Sequence, residues 1–205
     1  MRKVIQAGHV IAFQQGGHRH LQNGFILIED DRIAEVGGGV FEGEADEFID
    51  AKDKIVTPGF INTHAHLSES LLDRSFVEDR GPRNFYLSGL FEFLTARDGA
   101  ITDAARQASI SASMPELNRT GTMTIVEMGS HGHFVAEQAE KAGLRAYIGQ
   151  FYRSGRWYTK DGKSVQYEWF EDDGVSAMQK AVDFVKEMNG RASGRINGFL
   201  TPVQV

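Results

Sequence analysis

The chain contains no cysteine and only four prolines among its 205 residues. Without cysteine, neither a disulfide nor a thiolate ligand or nucleophile can form, so any metal must be held by histidine and carboxylate side chains. Long hydrophobic runs are missing too, since the apolar residues that follow Met1 are interrupted by Gln6, Gly8 and His9. This pattern indicates neither a signal-peptide core nor a membrane span, and it predicts a soluble cytoplasmic protein.

The overall charge and composition narrow the class of protein further. A formal net charge of -6 disfavours binding to nucleic acid or to an anionic membrane surface, because both repel an acidic protein. Hydrophobic residues make up 41% of the chain and charged residues 24%, which is typical of a globular protein. The length allows one core, or a small domain with part of a larger one.

The hydrophobic pattern changes near Pro58. Residues 1–57 resemble short strands separated by turns that contain glycine, asparagine or aspartate, which predicts a small antiparallel β unit. Residues 58–205 follow the order β-α-β-α-β-α-β, which requires parallel strands with helices packed on the sheet. A (β/α)₈ barrel and a doubly wound sheet both satisfy this order. Ser130 is predicted to cap the amino terminus of the helix after the second of these strands.

The sharpest local feature is the pair His64 and His66. Residues i and i+2 of a strand project to the same side, so the two imidazoles should converge at the strand's carboxyl end, where barrel enzymes build their active sites. Imidazole nitrogens suit a cation such as Zn²⁺ or Fe²⁺. Taken alone, such a pair is more often two exposed histidines at a strand end, because an ion needs more than two ligands.

The surrounding residues make the pair more specific. Residues 58–67, Pro-Gly-Phe-Ile-Asn-Thr-His-Ala-His-Leu, closely resemble the first metal-binding strand of the amidohydrolase superfamily. A β-rich segment of similar size precedes that strand in the family, and residues 121–124 and 142–146 resemble the second strand and the approach to the third. The resemblance implies the amino-terminal part of a (β/α)₈ TIM-type barrel preceded by a small, incomplete β-sandwich-like unit. It also implies one divalent ion bound by His64 and His66, zinc rather than iron.

Within this superfamily, the sequence is most similar to the deaminase and chlorohydrolase branch. That likeness implies hydrolysis of carbon–nitrogen bonds other than peptide bonds in a small cyclic substrate, such as a cyclic amidine, by metal-activated water. Hydrolysis of cyclic amides or N-acyl amino acids on the same fold is an alternative. The absence of lysine from residues 201–205 favours a one-metal site. Relatives that act on nucleosides often carry histidine before a proline on the fourth strand, whereas here Thr201 precedes Pro202.

The family resemblance also says where the remaining site residues belong. It implies further metal ligands on the fifth, sixth and eighth strands of the barrel. The sequence from Phe60 to Val205 provides only the first four of these strands. We therefore expect the 205-residue chain alone to be inactive, and to form a homo-oligomer or to complement the carboxy-terminal half. A fragment that serves only in assembly is the competing possibility.

Two further residues are candidate substrate contacts. His131, with His133, forms a second His-x-His pair after the second strand of the barrel, and we predict that His131 contacts substrate and that neither is a metal ligand. Trp157 lies in the aromatic-rich segment 151–170 and could stack on a flat heterocycle, although an oligomer contact or a folded hairpin packing on the barrel is equally compatible. Four further residues could line the pocket, Glu69, Arg74, Glu78 and Glu127, but the pattern assigns no catalytic role to any residue.

Overall fold

The computed structural model describes residues 1–77, 101–158, 160 and 166–203. The chain divides into two compact units, Met1–Gly59 and Phe60–Val205. Among these residues, no helix combines the length and the apolar character needed to cross a membrane.

The first unit is built on a sheet with strand order β3-β2-β1-β4. Its strands are β1 (Arg2–Gln14), β2 (Gly17–Glu29), β3 (Arg32–Gly38) and β4 (Glu47–Val56). The β1–β2 and β2–β3 pairs are antiparallel, but β4 runs parallel to β1. The prediction of an antiparallel unit is therefore wrong at β4, where a run of charged residues from Asp50 to Lys54 leaves Ala51 as the buried position.

Local chemistry explains how the first hairpin forms. Between β1 and β2, Gln15 has φ 52° and Gly16 has φ 79°, the left-handed pair that matches the twist of a two-residue hairpin turn. Apolar side chains then alternate to both faces of the sheet. The buried apolar residues form two clusters, one of Ala7, Val10, Ala12, Ile26 and Ala51, and the other of Val4, Phe25 and Leu27.

Gly8 marks a change of register between β1 and β4, located between Ala7 and His9. A Cβ atom on Gly8 would lie 2.2 Å from the carbonyl oxygen of Lys52, which is backbone and cannot rotate away. We expect Gly8→Ala to lower the free energy of unfolding by about 1–3 kcal/mol, because the added methyl group must displace β4. Urea denaturation followed by circular dichroism measures this loss.

Gly38 provides a matched control at the end of β3. A Cβ atom there would have no heavy atom within 4 Å, so Gly38→Ala should change stability by less than about 0.5 kcal/mol. Equal stability of the Gly8→Ala variant and the wild type would contradict the predicted clash.

The second unit contains a parallel sheet with strand order β10-β7-β6-β5. The strands of the unit are β5 (Phe60–Ala65), β6 (Thr122–Gly129), β7 (Arg145–Tyr152), β8 (Gly155–Tyr158), β9 (Gln166–Trp169) and β10 (Ile196–Pro202). The helices are α1 (Ser70–Val77), α2 (Asp103–Arg119), α3 (Gly132–Lys141), α4 (Glu171–Met188) and the single turn α5 (Arg191–Gly194). Strands β8 and β9 form a separate antiparallel hairpin.

The main core of this unit lies between the parallel sheet and its helices. Ile125 of β6 and Ile148 of β7 are fully buried in one cluster with Ile110 of α2, Val135 of α3 and Met188 of α4. Alternation along a strand sends the neighbouring side chains to the opposite face of the sheet. The α/β prediction is thereby confirmed, and the strands' carboxyl ends share one edge.

The start of α3 differs from the prediction. Ser130 does not cap the helix, because the N-cap position is occupied by His131. His131 adopts a left-handed conformation with φ 66°, and its side chain makes no capping hydrogen bond. The Ser130 hydroxyl instead lies 2.9 Å from Nδ1 of His131. The prediction from residue type is wrong because the helix begins one residue later than a cap at Ser130 requires.

Candidate metal centre

His64 and His66 meet at the carboxyl end of β5, as their spacing predicts. Their Nε2 atoms are 3.0 Å apart, and the two rings stand nearly edge to face with centroids 4.9 Å apart. With zinc–nitrogen bonds of about 2.0–2.1 Å, nitrogens at this separation would subtend roughly 95° at an ion. The two imidazoles therefore fit a shared divalent cation.

The orientation of His66 is set by the neighbouring strand. Its Nδ1 atom contacts the backbone carbonyl oxygen of Met128 on β6. Because a carbonyl oxygen can only accept, Nδ1 carries the hydrogen in this contact, and a neutral ring then presents the lone pair on Nε2. Metal-binding histidines usually donate such a hydrogen bond from the ring nitrogen that does not bind the metal. The side-chain Oδ1 of Asn62 accepts the backbone N–H of His64 at 3.1 Å.

Two ligands do not complete a zinc site. In the described parts of the chain, no group of three or more histidine, aspartate or glutamate side chains is placed to hold an ion together. A catalytic zinc commonly takes three protein ligands and a water. Without a cation, one Nε2 atom can donate an ordinary hydrogen bond to the other.

Glu127 of β6 is a buried acid next to this pair. It is 1% exposed, and both of its carboxylate oxygens accept the backbone N–H of Leu67, at 3.1 and 3.0 Å. Burial raises the pKa of Glu127 to about 8, while the Leu67 hydrogen bond lowers it in part and the charge of Glu69 raises it. The folded state therefore favours the protonated acid near neutral pH.

Glu69 is also buried and is engaged by its neighbours. The guanidinium of Arg106 contacts Oε1 of Glu69, and the hydroxyl of Ser68 donates to Oε2 at 2.6 Å. Glu69 is 8% exposed. Two of the suggested pocket residues, Glu69 and Glu127, are thus buried and hydrogen-bonded. Arg74 forms an ion pair with Glu116, and Glu78 lies outside the described residues.

The second His-x-His pair is held by acidic partners. Nε2 of His131 lies 3.2 Å from a carboxylate oxygen of Asp103, and Nε2 of His133 lies 2.9 Å from one of Glu187. Different helices supply these partners, so the two imidazoles do not converge as His64 and His66 do. The expectation that neither is a metal ligand stays a prediction, which these contacts support.

A cleft of about 440 Å³ opens beside the carboxyl ends of β6 and β7. It is lined by Gly129, Ser130, His131, Gly132, His133, Phe134, Gln150 and Phe151. The ring of Phe151 also lies 5.9 Å from that of His66, measured between centroids. This volume falls in the range typical of small-molecule sites, and His131 is on its wall.

Trp157 belongs to the hairpin that follows β7. Its backbone pairs with Tyr167 across β8 and β9, but its side chain lies outside what the structure describes. Its role as a substrate contact stays a prediction. Tyr167 and Trp169 on the partner strand are largely exposed.

Two contacts of the histidine strand were not predicted from the sequence. One is the Met128 carbonyl that orients His66, and the other is the Glu127–Leu67 hydrogen bond. The first contact could not be predicted from residue type, because every residue has a main-chain carbonyl. Glu127 could have been noticed, because a glutamate two residues after Ile125 lies on the face of the strand that the sequence predicts to be buried.

Known proteins are similar in sequence to this chain. A sequence model described as "Amidohydrolase family" matches residues 55–203. The chain is 30% identical over 188 residues to a 5'-deoxyadenosine deaminase of Methanobrevibacter smithii, a match that covers 87% of this chain and 37% of that protein. It is 33% identical over 148 residues to a 5-methylthioadenosine/S-adenosylhomocysteine deaminase of Thermococcus kodakarensis, covering 72% and 33%.

Solved structures share the fold. An atrazine chlorohydrolase from Arthrobacter aurescens TC1, complexed with zinc, superposes with a TM-score of 0.75 at 20% identity, over 99% of this chain and 47% of that one. The predicted fold is confirmed as the amino-terminal part of the barrel found in these enzymes. A β-sandwich-like unit precedes it in the sequence. The chain spans less than half the length of each of these relatives.

Proposed function

Because the chain belongs to the amidohydrolase family, we propose that it forms part of a metal-dependent hydrolase of carbon–nitrogen bonds in a small cyclic substrate. The observation that carries the proposal is the 3.0 Å approach of the His64 and His66 Nε2 atoms, with Nδ1 of His66 on the Met128 carbonyl. A divalent ion bound there, zinc in preference to iron, would lower the pKa of a water to about 7 and so supply hydroxide at neutral pH.

The reaction proposed is deamination of a cyclic amidine. The oxygen of water bonds to the ring carbon, the exocyclic carbon–nitrogen bond breaks, and the amine leaves as ammonia with the proton released by the water. Aminopurine nucleosides are the first substrate class to test, since the two curated relatives carry the names of adenine-nucleoside deaminases. Phe151 supports this choice, because its ring lies beside His66 and offers an apolar surface for a flat heterocycle.

His131 is proposed to contact the substrate from the wall of the cleft. Nε2 of its ring lies near Asp103, and Nδ1 lies near the hydroxyl of Ser130, which together hold the imidazole in place. A preorganised ring loses little conformational freedom when a ligand binds. Trp157 is proposed as a second contact, on its sequence position alone.

The proposed zinc site requires ligands in addition to His64 and His66. We propose that the remaining ligands and the group that moves protons come from a carboxy-terminal half of the barrel, in the same polypeptide or in a complementing chain. A zinc site of three protein ligands and a water needs at least one ligand more than His64 and His66 provide.

The test is an ammonia-release assay on the assembled enzyme, meaning this chain together with the proposed carboxy-terminal half of the barrel. The panel contains 5'-deoxyadenosine, 5'-methylthioadenosine and an aminotriazine, with a hydantoin and an N-acetyl amino acid for the alternative activity. We expect ammonia from at least one amino heterocycle, loss of turnover with a chelator and recovery with zinc. The isolated 205-residue chain should show none. Turnover of only the hydantoin or the N-acetyl amino acid would contradict deamination.

A further inference from the structure

The backbone of Leu67, the residue after His66, is hydrogen-bonded at both its N–H and its carbonyl oxygen. On one side, the carboxylate of Glu127 accepts the N–H of Leu67 with both oxygens, at 3.1 and 3.0 Å. On the other, the hydroxyl of Ser109 donates to the carbonyl oxygen of Leu67 at 2.8 Å. The Leu67 side chain is 4% exposed and lies in the main core. This stretch of backbone, directly after a proposed ligand, therefore has little room to shift.

The two holding groups come from different elements of the fold. Glu127 is on β6 and Ser109 is on α2, about 60 and 42 positions from Leu67 along the chain. The residue after Glu127 is Met128, whose carbonyl contacts the ring of His66. Consecutive residues of β6 thus hold the imidazole of His66 and the peptide beside it.

A carboxyl group is an unfavourable choice for this position on packing grounds alone. Ile125, two residues earlier on the same face of β6, is fully buried among apolar side chains. Burying an acid there costs free energy unless its oxygens are hydrogen-bonded. In the described part of the chain, the hydrogen-bond partner of Glu127 is a backbone N–H rather than a lysine or arginine side chain. The residue type is thus explained by holding Leu67 rather than by an ion pair.

We propose that Glu127 is a positioning residue for the metal ligand His66, acting through the backbone N–H of Leu67. The inference rests on the proposed function, in which His64 and His66 hold the ion. Loss of the Glu127 acceptor frees the Leu67 peptide, and the attached His66 then moves relative to His64. Since the two Nε2 atoms must stay about 3 Å apart to share an ion with bonds near 2 Å, a small shift weakens binding.

The test measures the zinc dissociation constant of the assembled enzyme by competition with a chromophoric chelator. Glu127→Leu removes the acceptor while it keeps most of the volume, and we expect the dissociation constant to rise by about 10-fold to 100-fold. Glu127→Gln keeps an oxygen that accepts from Leu67 and should stay within about 3-fold of wild type. Rescue by glutamine distinguishes a positioning hydrogen bond from a requirement for charge.

A stability control separates positioning from general weakening of the core. Met188 is fully buried at the end of α4 in the same cluster as Leu67. Met188→Ala should lower the thermal denaturation midpoint and yet leave the zinc dissociation constant within about 3-fold of wild type. If Glu127→Leu does not fold, Glu127→Asp decides the question, because its shorter side chain withdraws the carboxylate from Leu67 and should also weaken binding.

The failure of this inference differs from the failure of the proposed function. A wild-type protein that binds no divalent ion would overturn both. One ion bound by the wild type, with an unchanged dissociation constant in Glu127→Leu and Glu127→Asp, would overturn the positioning role alone. Equal weakening by Met188→Ala and Glu127→Leu would also overturn it.

Discussion

Replacing His64 and His66 together with alanine is expected to remove the bound divalent ion and, with it, the hydrolytic activity. The two Nε2 atoms lie 3.0 Å apart and provide the pair of imidazole ligands in the proposed site. Metal content, measured by elemental analysis of the assembled enzyme, should fall from about one ion per chain to near zero. Turnover should fall by about 10³-fold or more, because water without the ion returns from a pKa of about 7 to the far higher pKa of bulk water.

The chain offers a matched control for this variant. His18 and His20 have the same His-x-His spacing on β2 in the first unit. Replacing both with alanine removes two imidazoles from a strand but should leave metal content and turnover unchanged. Retention of the ion in the His64→Ala/His66→Ala protein would refute the ligand assignment, whatever the activity.

The second large effect expected is a dependence of stability on pH. Burial raises the pKa of Glu127 to about 8 from an ordinary value of 4.5. Between these two values the folded protein keeps the proton and the unfolded chain has released it, so the free energy of unfolding falls as pH rises. One pKa unit corresponds to about 1.4 kcal/mol, and the loss between pH 4.5 and 8 is on the order of 4 kcal/mol.

Urea denaturation of the metal-free protein at several pH values between 5 and 8 measures this slope. In Glu127→Gln the side chain stays neutral at every pH and the slope from this position should vanish. Glu137→Gln is the control, because the Lys141 ammonium already lowers the pKa of that exposed carboxylate and Glu137 stays ionised throughout the range. Identical slopes for the wild type and Glu127→Gln would show that Glu127 titrates normally.

The histidine strand shows how far residue patterns predict a site. The same-side projection of His64 and His66 follows from the period of two along a strand, so their convergence could be stated in advance. The contacts that orient them could not. The Met128 carbonyl lies 62 positions from His66 in sequence, and only the parallel pairing of β5 with β6 brings the two together. Any residue type would supply the same carbonyl.

The first unit shows a second limit. The turn at Gln15 and Gly16 is encoded locally, because two left-handed residues select a tight hairpin. The pairing of β4 with β1 is not local, since Lys3 is opposite Glu47. Strand β4 is mostly exposed and rich in charge, so its sequence lacks the alternation that marks a half-buried strand.

The main-chain contacts around His66 have a consequence for how this protein can diverge. The hydrogen bond from His66 ends on a carbonyl oxygen, so position 128 can change its side chain without losing that acceptor. Position 67 can accept any residue that carries an N–H, which excludes only proline, provided that it packs. Glu127 differs, because its contribution is made by the side chain itself. In an alignment of homologues, selection on the metal centre should therefore be visible at position 127 and nearly silent at position 128.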